Sequence, residues 1–160
     1  MSRKIFHFLA ATVFSFGLIF LVSGCHSMGG SGGKTYHAGP FTMNLPHEFK
    51  AVPASATNSY VGAFQSPGVY LEFDYGIAAN NFEDWPQATE FEMVTVDEKE
   101  ARIGTVGRGF QPGYNFSTQI AFRDTGGSPL TITAACKTSA DCARAKEIFR
   151  SVKFKPTSRE

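Results

Sequence analysis

The chain has few of the residues that most often perform chemistry, and little excess charge. It has four His, three Cys and one Trp in 160 residues, and its 15 basic and 14 acidic side chains leave a formal charge of only +1. Nucleic-acid binding rests on many contacts between Lys or Arg and phosphate, and a near-neutral chain offers no field for it. A charged fraction of 18% is also too small for an extended, self-repelling chain. No H-E-x-x-H, phosphate loop or dinucleotide fingerprint occurs. His37 and His47 fall at the start of the domain, with Glu48 beside His47. Neighbouring His and Glu in a loop read as solvated surface, so no catalytic residue, no metal and no cofactor is expected. Asn80, Asn81, Glu83 and Asp84 are oxygen donors, but they do not keep the spacing of a calcium loop. The length suits one domain with one sizeable core.

What the chain does have begins at its N-terminus. Arg3 and Lys4 precede Ile5 to Val22, a stretch without a charge that holds five of the sixteen Phe. A basic head, an apolar core and small residues form a secretory signal, although about 18 residues also just reach spanning length. The exit, Val22-Ser23-Gly24-Cys25, resembles the lipobox of bacterial lipoprotein signals. The resemblance implies cleavage before Cys25 and lipid on its thiol and amine. Each buried methylene contributes about 0.8 kcal/mol, so two or three acyl chains hold a protein on a membrane. Next stands His26, where Asp would resemble an inner-membrane retention signal. The expected location is therefore the outer membrane, facing the periplasm.

Without residues 1–24 the chain has 136 residues, thirteen bases and fourteen acids, for a charge of −1. With Cys25 committed to lipid, Cys136 and Cys142 remain, and an oxidising compartment makes a disulfide their default state. Their C-x5-C spacing fits neither the commoner zinc spacings nor the C-x-x-C of redox-active pairs. Ser27 to Gly33 reads as a tether reaching about 15 Å. The expected organisation is a signal over 1–24, lipidated Cys and tether over 25–35, one globular domain over 36–155, and a polar tail over 156–160.

Within the domain, Phe41 to Leu45 reads as a first strand, and Ser59 to Gln65 pairs with Val69 to Ile77 across Ser66-Pro67-Gly68. Leu71, Phe73, Tyr75 and Ile77 alternate with Glu72 and Asp74, the period of a half-buried antiparallel strand. Glu92 to Val96 and Lys99 to Val106 form a hairpin about Asp97-Glu98. Phe116, Thr118, Ile120 and Phe122 share one face of a strand, and Leu130, Ile132 and Ala134 share a face of the next. The period then turns helical through Ala145, Ile148, Phe149 and Val152, with Ser139 as the expected N-cap and Asp141 near the positive helix end.

Phe41-Thr42-Met43-Asn44-Leu45-Pro46, the paired late strands, and Ile148-Phe149-Arg150-Ser151-Val152-Lys153-Phe154 together resemble bacterial lipoproteins of the PsbP/Mog-like type, including the DcrB-like group. The likeness covers about residues 36–155. It implies an α+β fold, a twisted antiparallel sheet with helices packed on it and a C-terminal helix; a second helix would fall on Phe82 to Glu90. The family's shared theme is binding or assembly, and no site residues carry over.

Charge and aromatic placement supply the remaining leads. Glu72 to Glu100 holds nine acids against Lys99, net −8, whereas Arg102 to Glu160 nets +6. This suggests a two-sided domain whose basic end, with Arg144 and Arg150, could face anionic lipid or an acidic partner; the alternative is that the charges intermix on folding. Trp85 beside Pro86, and Arg108, Phe110 and Tyr114 on the Gly/Pro loop, are candidate interface residues. The expected function is a non-catalytic, lipid-anchored binding or assembly module in the periplasm, with the membrane and an envelope protein as partners and no nucleic acid. A lipoprotein binding a small ligand or metal is the second reading, and a hydrolase using His47 the third.

Overall fold

A computed structural model describes residues 33–77, 79, 82, 85, 86 and 89–156. The signal over 1–24, Cys25, His26, residues 27–32 of the tether and 157–160 of the tail, together with Asn80, Asn81, Glu83 and Asp84, lie outside the described residues. Ten strands and one helix follow in order: β1 (Lys34–His37), β2 (Phe41–Leu45), β3 (Lys50–Val52), β4 (Ser59–Gln65), β5 (Val69–Gly76), β6 (Glu90–Val96), β7 (Lys99–Val106), β8 (Phe116–Phe122), β9 (Leu130–Cys136), α1 (Ser139–Arg150) and β10 (Lys153–Phe154). Seven strands form an antiparallel sheet in the order β3-β4-β5-β9-β8-β7-β6, and β1-β2-β10 form a smaller one.

Alternation in the sequence gives the large sheet two unlike faces. One row across it runs Ile103, Ile120, Ile132 and Phe73, and the next runs Ala101, Phe122, Leu130 and Tyr75. The small sheet and α1 cover this inner face. Phe41 meets Phe73 edge-on at 5.2 Å, Tyr36 meets Phe64 at 4.7 Å, and Phe154 meets Phe122 at 5.1 Å. Ala145, Ile148 and Phe149 bury the helix stripe. Burying one such Phe contributes about 1.5–3 kcal/mol, so these contacts anchor both covering elements. Cys136 and Cys142 are bridged, with Cα atoms 5.4 Å apart, and this ties the end of β9 to the first turn of α1.

The fold is α+β but mainly β, and several expectations need correction. Among the described residues α1 is the only helix. Phe82, Trp85, Pro86 and Thr89 are irregular, and Glu90 opens β6, so no second helix covers Phe82 to Glu90. Pro86 lacks the N–H that a helix would use, and Phe82 has φ 68. The N-cap is Thr138, not Ser139: Thr138 is extended, and its hydroxyl accepts from the Asp141 N–H while the Asp141 carboxylate accepts from the Thr138 N–H. This is the reciprocal capping box, in which Asp141 fills the third helical position. β1 begins at Lys34, inside the stretch read as tether, because its register with β2 pairs Lys34 with Leu45. Ile77 lies past β5 and is 84% exposed. Among the described residues, no helix is long and apolar enough to cross a membrane.

The acidic and basic stretches meet in two ion pairs, Arg150 with Glu92 and Lys153 with Asp97. Arg150 binds Glu92 at 3.0 Å and Glu147 at 3.2 Å, Lys153 binds Asp97 at 3.1 Å, and Arg144 binds Glu48. These contacts, with the Phe154 N–H donating to Asp97, join the end of α1 and β10 to β6 and its turn.

Candidate functional site

The outer face of the large sheet is polar where the inner one is apolar. One row reads Phe91, Gly104, Gln119, Thr133, Glu72 and Ala63, and the next reads Val106, Ser117, Ala135, Tyr70 and Gln65. Gln119 and Ser117 are nonetheless buried. The cover comes from topology. β5 and β6 are four places apart in the sheet, and Phe82, from the segment between them, lies against the outer face at Gly104. Phe82 anchors that crossing: a Cβ on Gly104 would stand 2.5 Å from its ring, and the ring meets Phe91 and Trp85 edge-on, each at 5.2 Å. Glycine at 104 is what lets an aromatic ring lie flat on the strand. The Arg102 guanidinium lies over the Phe82 and Phe91 rings at 4.7 and 4.2 Å, adding cation–π attraction.

A cleft of about 460 Å³ opens between the Trp85-Pro86 part of this crossing and the loop after β7. Glu72, Thr133 and Ser117 form its floor, and Trp85, Arg108 and Phe110 its walls. Ser117 sets the second wall. Its hydroxyl donates to the Arg108 carbonyl at 2.6 Å and accepts from the Phe110 N–H at 3.1 Å. Both capacities of that hydroxyl are thereby engaged in positioning the loop, so it is not poised as a nucleophile. Gly109 lies so close to Tyr114 that a Cβ would overlap the Tyr114 carbonyl, which folds the loop back on itself. Tyr70 supports Phe110 from below with ring centroids 6.2 Å apart.

Burial raises the Glu72 carboxyl above its ordinary range; a hydrogen bond with the Tyr70 hydroxyl opposes this, and Asp74 on the same face adds to it. Tyr70 is raised as well, by burial first and then by the Glu72 charge. Thr133 donates to Gln119 at 3.1 Å. The Arg108 side chain makes no ion pair among the described residues and is exposed. The cleft thus offers an exposed guanidinium, two aromatic surfaces and one partly desolvated acid, with no histidine among its described lining residues.

Of the six interface candidates, the fold brings Trp85, Arg108 and Phe110 into this cleft. Tyr114 buttresses the loop from outside it, where its hydroxyl accepts from Gln65 at 3.4 Å. Arg144 and Arg150 lie on α1, across the sheet, in the ion pairs already described, and do not join the others. His47 is exposed, and its neighbour Glu48 is engaged by Arg144. Sequence reasoning missed Glu72, Ser117, Thr133 and Phe82. For the first three the signal was present: polar residues on the faces opposite Leu71, Ile120 and Ile132. The chain matches no protein-family model and no curated protein.

Proposed function

We propose that this protein is a non-catalytic binding or assembly module, held to the periplasmic side of a bacterial outer membrane by lipid on Cys25. In this reading the domain is a PsbP/Mog-like sandwich with one helix among its described residues, and it engages an envelope protein through the outer-face cleft. The observation that carries the reading is the convergence of Trp85, Arg108 and Phe110, distant in sequence, on one open cleft. Trp and Arg are enriched among residues that dominate binding energies, and the exposed Arg108 guanidinium gives direction to a polar partner. Binding is favoured over catalysis because the floor hydroxyl of Ser117 is spent on holding the loop after β7.

Crosslinking in intact envelopes followed by capture tests this directly. A partner recovered with the wild-type chain should be lost with Trp85→Ala or Arg108→Ala and retained with Arg144→Ala. Retention of the same partner by both cleft variants would overturn the reading. The cleft volume, within the range of small-molecule sites, favours a small ligand as the second reading. That reading expects no specific protein adduct and a ligand-induced rise in melting temperature that Trp85→Ala abolishes. The anchor has a separate test. Cys25→Ser should prevent lipid labelling and signal processing, and unchanged membrane retention would contradict it.

A further inference from the structure

β6 is the last strand of the large sheet, and among the described residues no strand pairs with its outer edge. The opposite edge is blunted, since β3 has three residues and runs into Pro53. β6 has seven residues, uninterrupted by Pro or Gly, with Phe91 49% and Met93 68% exposed. The turn to β7 fixes which backbone groups face outward. Asp97 and Glu98 form a two-residue turn with φ 50 and 63, flanked by the pair Val96 and Lys99. In such a turn the flanking pair exchanges both hydrogen bonds, and every second residue does the same. Glu90, Glu92, Val94 and Val96 are therefore bonded to β7, and the N–H and C=O groups of Phe91, Met93 and Thr95 point outward.

We infer that this edge pairs antiparallel with β6 of a second copy of the chain, about a two-fold axis at Met93. The charge pattern selects that register. Centring on Glu92 would oppose Glu92 to itself, and centring on Val94 would oppose Glu90 to Glu98; like charges directly opposite are destabilising. Centring on Met93 opposes Glu90 to Val96, Phe91 to Thr95 and Glu92 to Val94. It also places Met93 opposite itself as an outward-bonding pair. Phe91 against Thr95 is an aromatic–β-branched pair, a stabilising combination across strands. Glu92, diagonal to its own copy, is paired with Arg150 at 3.0 Å, a guanidinium it shares with Glu147. The two large sheets become one continuous sheet, and both clefts stay open because they lie toward β5 and β9.

The test uses the full chain in mild detergent, with mass measured by light scattering and cysteine variants compared with wild type under oxidation. The wild-type chain should have twice the chain mass. Met93→Cys should crosslink to itself, since an opposed bonding pair sets Cα atoms about 5.5 Å apart, within disulfide reach. Thr95→Cys should not, because its two copies stand about 13 Å apart in this register. Met93→Pro should halve the mass while preserving the fold, since the N–H it removes points away from β7. Met93→Lys should do the same if proline disturbs folding. A monomeric wild-type chain, crosslinking through Thr95→Cys as readily as Met93→Cys, or a dimer indifferent to Met93→Lys would overturn the inference.

Discussion

Replacing Gly104 by Ala should destabilise the protein, although the same change is ordinarily favourable in a strand. Ala loses less backbone freedom than Gly on folding, a gain of about 0.5–1 kcal/mol. At position 104 the new methyl would stand 2.5 Å from Cε1 and 3.0 Å from Cδ1 of Phe82, well inside contact distance. Phe82 is 6% exposed and wedged among Trp85, Phe91 and the Arg102 guanidinium, so it has no free path away. Overpacking of this kind costs about 1–3 kcal/mol, which outweighs the entropic gain. The sign should reverse in a Phe82→Ala background, where the remaining close approach, 3.1 Å to Phe91 Cε1, is to a half-exposed ring that can give way, and the entropic term remains. Urea denaturation of the four chains of this double-mutant cycle measures both numbers. The chain's single Trp is Trp85, so its fluorescence reports on the cleft wall alone. Gly104→Ala should shift that emission as the crossing is displaced. Equal effects of Gly104→Ala in both backgrounds, or a stabilised single variant, would refute the packing of the crossing on β7.

Three further outcomes follow from named contacts. Glu98, at φ 63 in the β6–β7 turn, holds a left-handed conformation that costs a side-chain-bearing residue about 1–2 kcal/mol, so Glu98→Gly should raise the urea midpoint. Opening the short Cys136–Cys142 loop by a double Ala replacement should cost about 2 kcal/mol by denaturation, and mass spectrometry of the native chain should find neither thiol alkylatable before reduction. The carboxyl of Asp97 is held below its ordinary range by the Phe154 N–H and by Lys153, whereas that of Glu72 is raised by burial. Stability from Asp97 is present above an unfolded value near 3.8 and is lost as pH falls through the lower folded value. Stability from Glu72 is present below about 4.5 and is lost as pH rises through the higher folded value. Asp97→Asn should remove the acid-side loss and Glu72→Gln the loss above pH 4.5, as read by thermal melts across pH.

The strands with strict alternation were legible because one face of each meets the core. Leu71 and Phe73, Ile120 and Phe122, and Leu130 and Ile132 announced β5, β8 and β9, and the hairpin about Asp97-Glu98 lies where its flanking strands put it. The capping residue was misread by one position, since Thr138 and Ser139 are both good caps and only Asp141 three residues after Thr138 distinguishes them. β3 and β10 have three and two residues and exist through their partners, β4 and β2, so no local period marks them. The site was half legible. Trp85, Arg108 and Phe110 stood out by residue type and loop context, but their meeting depends on a crossing over four strand positions that no local pattern encodes. Arg144 and Arg150 looked alike by the same reasoning and are separated from the cleft by the sheet itself.

The most direct test of the cleft as the binding surface is photocrosslinking in living cells, with a photoreactive residue placed at Phe110 or, as a control, at Arg144. A discrete adduct should form from position 110, sensitive to Trp85→Ala, and none shared with position 144. Adducts from position 144 alone, or the same adduct from both faces of the sheet, would contradict it.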